Sequence, residues 1–138
     1  MLGRLESEPL KSLRHGMLGL VGLGTVGVCV ELVVLEHYTD WNQLIPLVVA
    51  GMGLLAAVWI VLAPGLTALR AWQFTMLLFV GTGITGITMH YDVVSETVHP
   101  PLLAPGLFAQ LGLLGLLYTF RHPSAREGST VPESNLTQ

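Results

Sequence analysis

The sequence predicts an all-α integral membrane protein, a four-transmembrane-helix bundle with short loops and both termini on the cytoplasmic side (N-in/C-in). Three observations predict it. Apolar residues make up 51% of the 138 and charged residues 11%, with a mean hydropathy of +0.65, far from the average of a soluble domain. The few charges between Met17 and Phe120 are Glu31, Glu36, Asp40, Arg70, Asp92 and Glu96; they divide the chain into apolar stretches near or above the roughly 20 residues that cross a hydrocarbon core, the first of them short before Glu31 and continued to about that length by Leu32 to Leu35. Finally, all Lys and Arg residues fall where one side of a membrane would collect them.

The first span, 17–36, follows Lys11 and Arg14 and contains Glu31. No small-x-small cleavage site follows Val30, so it reads as a retained signal anchor rather than a removed leader. The segment before it, 1–16, is cytoplasmic, with Leu2, Leu5, Leu10 and Leu13 as the apolar contacts of a short interfacial helix. The second span, 42–63, lies in 29 consecutive residues without a formal charge, Trp41 to Leu69. A soluble helix needs a polar outer face, and this stretch has none. Asp40 or Asn42 caps it, Pro46 sits near its start, and Pro64-Gly65 stops it. The third span, 71–90, is rich in Gly and Thr. Pro100, Pro101 and Pro105 keep the chain extended before the shortest span, 104–120. Residues 123–138 are polar, with Pro, Ser and Gly, and read as a disordered cytoplasmic tail.

Orientation follows from charge. Arg4, Lys11 and Arg14 precede span one, Arg70 separates spans two and three, and Arg121 and Arg126 follow span four; the other two loops carry Glu36, Asp40, Asp92 and Glu96 and no cation. Short basic loops stay on the cytoplasmic side, which suits a bacterial-type inner or plasma membrane. The aromatics agree, with Tyr38, Trp41 and Tyr91 in an outer belt and Trp59, Trp72 and Tyr118 in an inner one.

Gly22-Leu23-Gly24-Thr25-Val26-Gly27 matches the dinucleotide fingerprint GxGxxG. Those glycines bind a pyrophosphate only within a βαβ unit, which this chain does not offer. Within an apolar span, Gly22, Gly24 and Gly27 serve close helix approach instead, as do Gly81, Thr82, Thr85 and Gly86 of span three, which makes span three the expected central helix.

Polar groups gather in the outer half. Glu31 lies inside the hydrocarbon region, about 9 Å from His37 at 1.5 Å per residue, and needs a partner. Gln110 on span four is the expected one, in a hydrogen bond beside the small Gly51. His37, Asp40, His90, Asp92, Glu96 and His99 form the candidate metal or cofactor cluster, since imidazole and carboxylate suit Zn, Cu or Fe. Their spacing matches no HExxH or ExxH motif, and the same residues also serve as interfacial groups that solvate short loops. Cys29 is the single cysteine and lies within a span, so no intramolecular disulfide and no CxxCH haem attachment exists.

No catalytic motif is present. The function the sequence favours is a non-enzymatic accessory or structural subunit of a larger membrane complex, with lipid, other membrane subunits or a second copy as partners and no feature for nucleic acid. One alternative is a small proton-coupled transporter using Glu31. Four helices with an acid in the first resemble the small multidrug resistance transporters in architecture, but no motif of that family is present and the one-sided Lys/Arg distribution differs from their dual topology. A second alternative is a redox subunit associated with haem, pigment or quinone, for which His90, with Gly86 four residues before it, is the candidate ligand.

Overall fold

The computed structural model describes residues 7–36, 38–93 and 103–120, except for the side chains of Ser7 and of His90, Tyr91, Asp92 and Val93. Among them the chain forms four α-helices: α1 (Ser7–Val34), α2 (Trp41–Leu62), α3 (Leu66–Val93) and α4 (Leu103–Thr119). Three are long and apolar enough to cross a membrane, over Glu8–Val34, Trp41–Leu62 and Leu66–Met89, and α4 is a shorter apolar helix.

Local chemistry sets the boundaries. Asp40 is the N-cap of α2, where the Gln43 Oε1 accepts from the Asp40 N–H at 3.3 Å and from the Thr39 N–H at 3.2 Å, satisfying donors that a helix start leaves open. The Ala63 N–H donates back to the Trp59 carbonyl at 2.9 Å, and Pro64 prevents further propagation. Glu36 closes α1 in the left-handed region at φ 54°, the conformation in which helices commonly end, more often on glycine.

Two expectations shift. Residues 7–16 are continuous with the first span, since α1 runs unbroken from Ser7 over 28 residues, about 42 Å at 1.5 Å per residue; residues 1–6 lie outside the described residues. The third helix is not central. α1 packs against α2 and α4, and α3 against α2 and α4, with α3 against α4 the most extensive contact. The helices therefore form an antiparallel ring in sequence order, closed between α4 and α1, with both ends of the described chain at one end of the bundle.

Large side chains fill the interior. Leu69, Trp72, Met76 and Phe79 recur at i, i+3, i+7 and i+10 on α3 and are almost wholly buried, together with Val21, Val28 and Leu32 of α1, Val49, Ala56 and Ile60 of α2, and Phe108, Leu111 and Tyr118 of α4. Phe79 and Phe108 meet with centroids 5.0 Å apart. The Trp72 and Tyr118 rings meet edge to face at 5.7 Å. Both rings belong to the core, whereas Trp41 and Trp59 are the exposed tryptophans. Such packing follows from tight helix approach: a Cβ on Gly53 would lie 2.6 Å from the Phe79 ring, so only glycine leaves room for that aromatic face.

Candidate functional site

Among the described residues the buried polar side chains are Thr25, Thr75 and Thr119. Each returns its hydroxyl proton to its own helix: Thr25 to the Val21 carbonyl at 2.7 Å, Thr75 to Ala71 at 2.9 Å and Thr119 to Leu116 at 2.7 Å. A threonine bonded in this way is satisfied and offers an interior ligand no free group. Among the described residues no buried side-chain nitrogen or oxygen lacks a partner. The centre of the ring is thus a packed apolar core rather than a polar passage.

The α1–α4 register determines where the intramembrane pair falls. Arg14 donates to the Phe120 carbonyl at 3.3 Å, and Gly24 faces Leu111. The helices are antiparallel, so continuing up α1 runs down α4 in number and brings Glu31 level with Ala104. Gln110 is level with Thr25, about two turns away. Glu31 is half-buried and Gln110 is exposed, and no hydrogen bond between the two occurs among the described residues. Equal counts inward from the loop ends do not reach equal depth, because Ala104, where the expected fourth span begins, already lies level with Glu31.

Of the expected metal or cofactor residues, His37, Glu96 and His99 lie outside the described residues, as do the side chains of His90 and Asp92. Asp40 is described and exposed at the start of α2. Among the described residues no three His, Cys, Asp or Glu side chains come together in a geometry that would hold a metal ion.

The glycines divide sharply. Gly24 and Gly86 meet neighbouring helices, at Leu111 and Pro105, while a Cβ on Gly22, Gly27 or Gly81 would meet nothing within 4 Å. Thr82 is half-buried and Thr85 exposed. The close approaches to backbone fall elsewhere: a Cβ on Gly83 would lie 2.5 Å from the Ala109 nitrogen and 2.7 Å from the Pro105 carbonyl oxygen, and one on Gly112 would lie 2.7 Å from the Met76 carbonyl oxygen. Gly83/Gly86 on α3 and Gly112/Gly115 on α4 are i, i+3 pairs, a spacing that also places residues on one helix face. That was the available signal for the α3–α4 seam.

The end of the bundle that holds both ends of the described chain carries further side-chain contacts. Beyond the Arg14–Phe120 contact, Lys11 pairs with Glu8 at 3.2 Å in an exposed ion pair, and the His15 Nδ1 lies 2.8 Å from the Lys11 carbonyl. Arg14 places a cation at the C-terminus of α4, where the carbonyls of the last turn lack helical partners and the helix dipole is negative. Of these contacts, the Arg14–Phe120 hydrogen bond joins α1 to α4, and the other two lie within α1.

Comparison with known proteins finds no match to the chain among family models, curated proteins or solved structures.

Proposed function

We propose that this chain is a multi-pass membrane protein with both termini on the cytoplasmic side, acting as a non-enzymatic accessory or structural subunit of a larger membrane complex. The observation that carries the reading is the inversion of the molecule: its interior is closed by Trp72, Met76, Phe79 and Phe108, while Leu20, Leu23, Val30, Leu55, Leu62, Phe74, Leu77 and Leu117 are among the many large apolar side chains exposed outward. Exposed apolar area on this scale requires lipid or partner subunits to cover it. A transporter instead needs polar groups converging on an interior path. Here the buried threonines are all satisfied by their own helices.

The test is extraction under gentle detergent followed by native mass measurement. The proposal expects the protein to stay with membranes through alkaline carbonate and to emerge in a particle well above its own 14.8 kDa plus detergent. A proton-coupled transporter would show substrate-dependent proton flux in proteoliposomes that Glu31→Gln abolishes. Such flux from the purified chain alone would replace the subunit reading with the transporter reading.

A further inference from the structure

We infer that the outward face of α4 is a self-association surface on which Gln110 pairs with Gln110 of a second copy of this chain. The inference rests on the membrane reading above. Leu103, Leu107, Gln110, Leu113 and Leu117 recur at helical spacing on one arc of α4. Leu103, Leu113 and Leu117 are 70%, 56% and 61% exposed, and Gln110 is exposed between them. The opposite side of α4 is already used by α3 and α1, through Gly112, Gly115 and Leu111.

Gln110 is anomalous on this face. It sits seven residues from the start of α4 and nine from its end, so about 10 Å of helix separates it from the nearer terminus. That is further than its side chain reaches. Thr88 on α3 satisfies its hydroxyl on the Thr85 carbonyl at 2.9 Å, whereas Gln110 has no side-chain hydrogen bond among the described residues. An amide facing hydrocarbon without a partner is unfavourable, and glutamine is among the side chains that join helices within membranes.

The occupant follows from the chemistry of the amide. It carries a donor and an acceptor, so a two-fold axis along the membrane normal brings two copies of Gln110 to equal depth, each donating to the other. The electrostatic complementarity is therefore complete with a second copy and needs no other residue type. The flanking leucines provide apolar contacts on either side.

The experiment uses the full chain in native membranes, on a Cys29→Ser background. Leu113→Cys and Leu117→Cys probe the α4 face, and Leu55→Cys, 72% exposed on α2, is the control. Oxidation is expected to give a disulfide-linked dimer from the α4 positions and not from the control. Adding Gln110→Leu is expected to lower the association constant about fivefold, the scale of one or two intramembrane hydrogen bonds, while Gln110→Asn keeps most of it. Thermal unfolding of the Gln110→Leu monomer in detergent should match the parent, which separates lost association from lost folding. Equal cross-linking at α4 and α2 positions, or cross-linking insensitive to Gln110→Leu, would overturn the inference. Release of the protein by carbonate would instead overturn the membrane reading on which it rests.

Discussion

The indole nitrogen of Trp72 donates to the Gly115 carbonyl oxygen at 2.8 Å, tying α3 to α4 inside the core. The carbonyl belongs to a glycine because a side chain there would strike Met76 and come within 3.2 Å of the Trp72 ring itself. One residue thus provides both the acceptor and the space. Trp72→Phe removes the donor and part of a fully buried ring, so a loss of about 2 kcal/mol is expected from the hydrogen bond and the cavity together. Thermal unfolding in detergent measures it. An unchanged midpoint would show that the α3–α4 seam does not depend on this contact.

The glycines offer a sharper contrast. Gly83→Ala and Gly112→Ala place a methyl group against the backbone atoms of the facing helix, which cannot rotate away, so each is expected to cost about 2–3 kcal/mol. Gly22→Ala and Gly81→Ala meet open space and should be neutral or stabilising by up to about 1 kcal/mol, since alanine is the better helix former. Unfolding curves for the four variants rank them, and the reverse order would refute the packing described here.

That contrast also explains how much was legible. The four helices were readable because charges, prolines and caps interrupt an otherwise apolar chain. Which glycines touch a neighbour was less so. Gly22, Gly24 and Gly27 attract attention as a motif, but successive residues turn by about 100°, so the three point to different sides and only Gly24 meets α4. The role of Gly53 depends on Phe79, 26 residues away in sequence, and no local pattern encodes that. Trp72 and Tyr118 resembled interfacial aromatics by position alone, yet α3 and α4 approach closely enough to enclose both. Gln110 drew notice as a polar residue in an apolar helix; its outward direction follows from the register that Arg14, Phe120, Gly24 and Leu111 establish.

At the opposite end of the bundle, Glu36 holds a left-handed backbone at φ 54°, with the Tyr38 N–H donating to its carbonyl at 2.8 Å. A residue with a Cβ pays roughly 1–2 kcal/mol for this conformation, and glycine is the usual occupant. Glu36→Gly is expected to raise stability by about 0.5 kcal/mol after the greater flexibility of the unfolded chain is subtracted. A lowered melting temperature would mean that the Glu36 side chain contributes something the backbone conformation does not express.

The final prediction concerns orientation, and the bundle narrows it to two choices. The antiparallel ring places the two ends of the described chain and the α2–α3 connection at 63–65 at one end, with the α1–α2 connection at the other. Lys11, Arg14 and Arg70 belong to the first end, and Glu36 and Asp40 to the second. Short loops rich in Lys and Arg remain in the cytoplasm, so the first end is expected inside. On a Cys29→Ser background, Thr39→Cys and Thr67→Cys place thiols at exposed positions near opposite ends. A membrane-impermeant maleimide added to intact cells should label Thr39→Cys strongly and Thr67→Cys only after permeabilisation. The opposite pattern would place both termini outside and break the charge argument. Labelling of both positions in intact cells would indicate that the chain inserts in two orientations.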